Sequence, residues 1–150
     1  MKEYLTKLIE KEGDFLEWTY TTKNGYEYTC NIRRSSGIGS LCGYVRLTPD
    51  SKLYGVSYDN IYDIVNVIVH GGLTYSSRGD KDDWIIGFDC AHLGDLNPTF
   101  LLNDMNYNII SQEVYRDMEY VKTECENLCE QISEFSFTFK RDKILNSILN

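Results

Sequence analysis

The sequence predicts an α+β domain: a mainly antiparallel sheet fed by two hairpins, with one long helix packed across it. Three observations lead there. Phe15 to Thr22 and Tyr26 to Arg33 alternate in character around Asn24-Gly25, the dipeptide that best fits the twist of a hairpin. From Ser111 to Ile132, the residues Val114, Met118, Val121, Cys125, Leu128 and Ile132 recur at alternating steps of four and three, the apolar stripe of a helix. Twelve Tyr, six Phe and two Trp in 150 residues favour pleated, half-buried surfaces.

Taken in order, Lys2 to Lys11 puts Leu5, Leu8 and Ile9 on one helical stripe, with Gly13 placed to end it. In the first hairpin Trp18, Tyr20, Tyr26, Tyr28, Cys30 and Ile32 share a face. Ser35 to Ser40 is a loop, Tyr44 to Leu47 a strand, and Thr48 to Gly55 a loop containing Pro49. The β-branched run that ends at His70 predicts a strand over Asn66 to His70, preceded by a helical turn around Tyr58 to Ile64. Gly71-Gly72 bends the chain, and Leu73 to Ser76 and Trp84 to Cys90 form a second hairpin through Ser77 to Asp83. His92 to Pro98 is a loop, and Phe100 to Met105 fits either strand or helix. Ser111 is the expected cap of the long helix, Phe135, Phe137 and Phe139 alternate as a late strand, and Lys143 to Asn150 is a terminal helical turn or two.

No repeat, low-complexity tract or linker interrupts this pattern, and the length suits a single domain. The net charge is -8, the opposite of what phosphate neutralisation requires, so direct binding to DNA or RNA is not expected. A neutral or cationic ligand, or a basic protein drawn to an acidic surface, remains compatible. Five cysteines without a C-x-x-C pair, no apolar leader and no membrane-length apolar run point to a reducing cytoplasm, which could be that of a host cell.

Chemistry-bearing residues concentrate between His70 and Asp95. Both histidines stand at expected strand-to-loop boundaries, and Asp89, His92 and Asp95 fall within one short segment. Two roles fit His70, Asp89, His92 and Asp95. They can form a His–Asp pair for general acid–base chemistry, or His70, His92 and Asp89 can ligate a divalent metal. The plainer role is that Asp89 caps a turn, His92 bonds a carbonyl and the glycines shape loops. Asp80, Asp82 and Asp83 make an acidic turn, either a solvated hairpin end or one edge of a surface for a basic partner.

Other motifs fall short. Gly37-Ile38-Gly39 with Cys42-Gly43 misses the dinucleotide fingerprint, and His70-Gly71-Gly72 lacks the G-x-S-x-G that an esterase needs. There is no Walker A and no H-E-x-x-H. Cys125 and Cys129 read as core residues, and Cys90 is expected to point into the core, away from Asp89.

Four blocks carry a resemblance. They are Leu41-Cys42-Gly43-Tyr44-Val45 with Pro49 and Tyr54-Gly55; Val69 to Tyr75; Trp84 with Gly87 to Asp95; and Tyr120 to Cys125. Together they resemble an uncharacterised family of small proteins found largely in phages, prophages and bacterial mobile elements. Members often carry a His-Pro pair before the Tyr-Gly, where this chain has Lys52-Leu53. The resemblance implies an accessory phage role, such as interference with host defence, and supplies no reaction. Gly71, Gly72, Tyr75 and Trp84, which flank the histidines in these blocks, are the candidate ligand contacts.

Two functions follow as expectations. One is an accessory protein whose His/Asp pocket takes a metal or a nucleotide-like small molecule, with turnover left open. The other is an acidic stoichiometric inhibitor of a host defence protein, CRISPR or another nuclease, that acts without catalysis.

Overall fold

The computed structural model describes residues 2–103 and 113–150. Helix α1 spans Lys2–Glu12, and Gly13 ends it at φ +75°, its N–H bonding Ile9 O at 2.9 Å. A side chain in that left-handed conformation is strained, so glycine suits the position. Strands β1 (Phe15–Thr21) and β2 (Glu27–Arg34) form the expected hairpin, with Trp18 opposite Cys30 and Tyr20 opposite Tyr28. The six residues predicted to share its inner face all pack against the main core. Strand β3 covers Leu41–Leu47, α2 is the short turn Tyr58–Ile61, and β4 (Tyr75–Arg78) and β5 (Trp84–Asp89) make the second hairpin. Helices α3 (Pro98–Asn103) and α4 (Met118–Leu149) complete the described elements.

The sheet is antiparallel throughout, in the order β1-β2-β3-β5-β4, and α4 lies across β3 and β2 on one face. The α+β architecture read from the sequence is therefore the observed one. Core side chains such as Ile32, Phe88, Leu128 and Ile132 are fully shielded, each contributing about 2 kcal/mol by leaving water. Among the described residues no helix is long and apolar enough to cross a membrane, and all five cysteines are free.

Three local expectations are corrected. No strand forms over Asn66 to His70. Val67 and Val69 are buried and Asn66 and Ile68 exposed, as period two demands, but the segment has no strand neighbour. The Gln131 side chain replaces one, accepting from Ile68 N at 2.6 Å and donating to Ile68 O at 2.8 Å. The long helix starts at Met118 instead of Ser111, which lies outside the described residues. Val114 pairs in an isolated parallel bridge with Asp95, so the chain before Met118 is extended, and Asp117 caps the helix by accepting from Tyr120 N at 2.9 Å. Finally, Phe135, Phe137 and Phe139 belong to α4. On a helix, Phe135 and Phe139 become neighbours at 6.4 Å, and Phe135 packs on the core while Phe137 stays exposed.

Arg34 fixes where the termini of these elements meet. Its guanidinium donates to Asp14, to the carbonyls of Gly13 and Gly39, and to the Tyr115 hydroxyl at 2.8 Å. Glu12 accepts from Tyr115 Oη and from Met118 N, both at 2.9 Å, so the end of α1 holds the start of α4.

Gly43 sets the distance between helix and sheet. A Cβ there would stand 2.6 Å from the Phe88 ring and 2.7 Å from Cys125 Sγ. Gly43→Ala is expected to lose about 1–3 kcal/mol by overpacking, read as a lower urea midpoint. An unchanged midpoint would show that α4 has room to move outward.

Candidate functional site

Three segments converge beyond the ends of β3 and β5. The first is the turn 70–72, the second the loop 90–96, and the third the extended stretch before α4. Asp95 joins them. Its Oδ2 accepts from His70 Nε2 at 2.7 Å and from His92 N at 3.0 Å, and its Oδ1 accepts from Arg116 Nε at 3.0 Å. Only 2% of its side chain is exposed. Burial alone would raise its pKa, but the bonds from His70, the His92 amide and Arg116 outweigh that and hold it below the ordinary 3.8.

His70 is engaged at both nitrogens. Facing a carboxylate, Nε2 carries the proton, so in the neutral ring Nδ1 accepts from Tyr120 Oη at 2.8 Å. Burial, then the nearby Glu124, raises the Tyr120 pKa, which keeps that hydroxyl protonated. Arg116 also lies over the Tyr120 ring at 4.9 Å. The result is a closed chain, Tyr120–His70–Asp95–Arg116, with no imidazole lone pair left for a metal.

His92 and Asp89 behave differently. Their side chains are about a third exposed, at 33% and 31%, with His92 Nε2 3.3 Å from Asp89 Oδ1. That is ion-pair distance without hydrogen-bond alignment, since Nε2 has no bonded partner. Asp89 accepts from Thr74 Oγ1 at 2.8 Å and from Ala91 N at 3.1 Å, the turn-capping role weighed for it, and its exposed edge retains acceptor capacity. The His92 ring packs against Gly71, where a Cβ would come within 2.1 Å of Nε2. Gly71 and Gly72 take φ of +66° and +80°. Gly71 thus admits a histidine from the same chain, while Gly72 leads into the Leu73 amide, which donates to Tyr62 Oη at 2.8 Å.

The remaining sequence candidates are dispersed. Tyr75 stands on the open face of the sheet, one row from Asp89. Trp84 is at the opposite end of β5 on the core side, its indole N–H bonded to Val56 O at 2.9 Å. It does not reach the histidines. In the acidic turn Asp83 is buried and paired with Arg46, Asp80 shares that arginine at 3.4 Å, and Asp82 accepts from Tyr54 Oη at 2.9 Å beside Arg78. Asp83 is thus answered within the fold, while Asp80 and Asp82 keep about three-quarters of their side chains exposed. Cys90 is buried, and burial pushes its thiol pKa far up, which suits a core residue and not a nucleophile.

His70, His92 and Asp89, the metal set expected from the sequence, do not turn their donor atoms to a common point. Among the described residues no three His, Cys, Asp or Glu side chains group to hold a metal, because His70 turns its nitrogens to Tyr120 and Asp95. Comparison with family models, with curated proteins and with solved structures finds no match, so the chemistry rests on this geometry. Sequence reasoning missed Arg116 and Tyr120 as partners. Their spacing of four, across a helix start, was the available signal.

Asp95→Asn is expected to lower stability by about 3 kcal/mol or more at neutral pH, since it removes the buried charge on which Arg116, the His70 ring N–H and the His92 amide converge. Because folding depresses the Asp95 pKa, its contribution is complete above the unfolded value and is lost as pH falls through the folded one. Urea unfolding should therefore show the gap between wild type and Asp95→Asn shrinking below about pH 4. A gap that stays constant with pH would mean Asp95 is not the charged node.

Proposed function

We propose that the chain is an accessory protein of the phage type that captures a small, hydrogen-bonding molecule at the corner formed by Asp89 and His92. The contrast between the two histidines carries this reading. His70 and Asp95 are bonded to each other and position the loops, whereas the His92 and Asp89 side chains keep about a third of their surface open, the His92 Nε2 atom itself being shielded, at the edge of the sheet face opposite α4. Loops held by a rigid sheet are where binding groups are best kept. In the setting that the resemblance implies, interference with host defence, the ligand is a nucleotide or nucleotide-derived signal, and sequestration suffices without turnover.

The acidic-inhibitor reading has less support. It needs a cluster of free carboxylates, and in the 80–83 turn Asp83 is buried against Arg46, which leaves only Asp80 and Asp82 exposed beside Arg46 and Arg78.

The reading is tested by thermal unfolding of wild type, Asp89→Asn and His92→Gln with and without a panel of nucleotides. A bound nucleotide at a hundredfold excess over its Kd stabilises wild type by about 2.7 kcal/mol. Both variants should keep the free-protein Tm within a few degrees and lose most of that increment. If Asp89→Asn retains the full increment, the corner is not the site. If instead a basic host protein binds both variants equally, with affinity falling steeply with salt, the inhibitor reading takes over.

A further inference from the structure

Helix α4 covers one face of the sheet, and the opposite face carries a cleft. The registers align Asn31, Tyr44, Gly87 and Tyr75 in one row across β2, β3, β5 and β4, and Arg33, Cys42 and Asp89 in the next row, toward His92. Asn31, Arg33, Tyr44, Arg46, Tyr75 and Ile85 line an open cleft of about 260 Å³. Gly87 lacks a side chain, and the Tyr44 ring lies over it, where a Cβ would stand 2.5 Å from Cδ1. Tyr44 meets Tyr75 edge to face at 5.4 Å, and Tyr75 remains 43% exposed.

Asn31 lines this cleft. It is only 2% exposed, yet its Oδ1 has no hydrogen-bond partner. Buried polar atoms are almost always paired, and one left unpaired destabilises the fold, so this amide is set for a group that comes from outside. Arg33 stands beside it, stacked on Phe15 at 5.0 Å and without a carboxylate partner among the described residues. Arg46, by contrast, is already held by Asp83 and Asp80.

We propose that this cleft takes the base and phosphate of a nucleoside monophosphate. The proposal rests on the Asp89–His92 corner being a ligand site, and it gives that ligand its chemical class. The Asn31 amide lies at the floor of the cleft with its Oδ1 shielded from solvent, and its donor and acceptor are the groups that a nucleobase edge would pair with. The exposed Tyr75 ring offers a stacking face, and Arg33 a planar, permanently charged partner for phosphate. The size suits one nucleoside, being just under the usual range of small-molecule pockets. Charge sets the phosphate count. Glu17, opposite Asn31 on β1, and Asp89 share this face, so they welcome hydroxyl and amine donors and repel a polyphosphate or a nucleic-acid strand.

Calorimetric titration with AMP, GMP, CMP and UMP, the matching nucleosides and inorganic phosphate tests the assignment, on wild type, Asn31→Val, Arg33→Met and Asp89→Asn. At least one monophosphate should bind wild type saturably. Asn31→Val should weaken it about tenfold or more, the worth of one good hydrogen bond, while the Tm holds or rises because an unpaired polar atom has been removed. Arg33→Met should weaken the monophosphate and spare the nucleoside. Wild-type affinity in Asn31→Val, or a lower Tm, overturns the proposal. Binding lost in Asp89→Asn but kept in Asn31→Val confines the ligand to the corner, so this proposal falls while the functional reading stands. If no probe binds, this proposal falls, and the functional reading is decided by its own thermal-unfolding panel.

Discussion

Asp95 accepts hydrogen bonds from a histidine ring, a backbone amide and an arginine, and these come from three stretches of chain that lie outside the main sheet. An ionised carboxylate taken out of water must be answered on all sides, so each donor is held where the charge needs it. The carboxylate thereby fixes the turn at His70, the loop through His92 and the approach to α4. Arg116 reaches it from the residues just before the Asp117 cap, which ties the start of the long helix to the same point. The polar cluster is thus first a device for placing loops, and the half-buried Asp89–His92 pair is what the placement leaves at the surface.

The division between the two histidines has a simple cause. His70 lies between Asp95 and Tyr120, groups of complementary hydrogen-bonding character, and both nitrogens are consumed. His92 is anchored by its backbone amide instead, and its ring rests on a glycine that offers it no polar partner. One imidazole is therefore part of the scaffold, and the other stands beside Asp89 with its shielded Nε2 unbonded.

Much of the fold was legible because its periodicities are local. Asn24-Gly25 specified its hairpin, the alternation around it assigned the faces, and the stripe from Met118 to Ile132 marked the helix. What escaped depended on partners distant in sequence. The segment ending at His70 alternates like a strand, but only the neighbour decides, and that neighbour is the Gln131 side chain. The three phenylalanines near the end also alternate by two, a pattern a helix accommodates when the first and third stack. At the site, the cluster was visible as composition, yet its wiring was not, because Arg116 and Tyr120 enter from the far side of the chain. Asn31 was overlooked because a polar residue between Cys30 and Ile32 reads as a solvent-facing position, and nothing local says that it is buried without a partner.

Scaffold and surface then divide the molecule cleanly: α4 and the core on one side of the sheet, an open face with two tyrosines, an amide and an arginine on the other, and the Asp89–His92 corner at its edge. Chemical-shift mapping of ¹⁵N-labelled protein titrated with the four nucleoside monophosphates tests this division most directly. The account predicts shifts at Asn31, Arg33, Tyr44, Tyr75 and the 89–92 corner, with the outward face of α4 silent. Shifts centred on α4, or none at millimolar nucleotide, would contradict it.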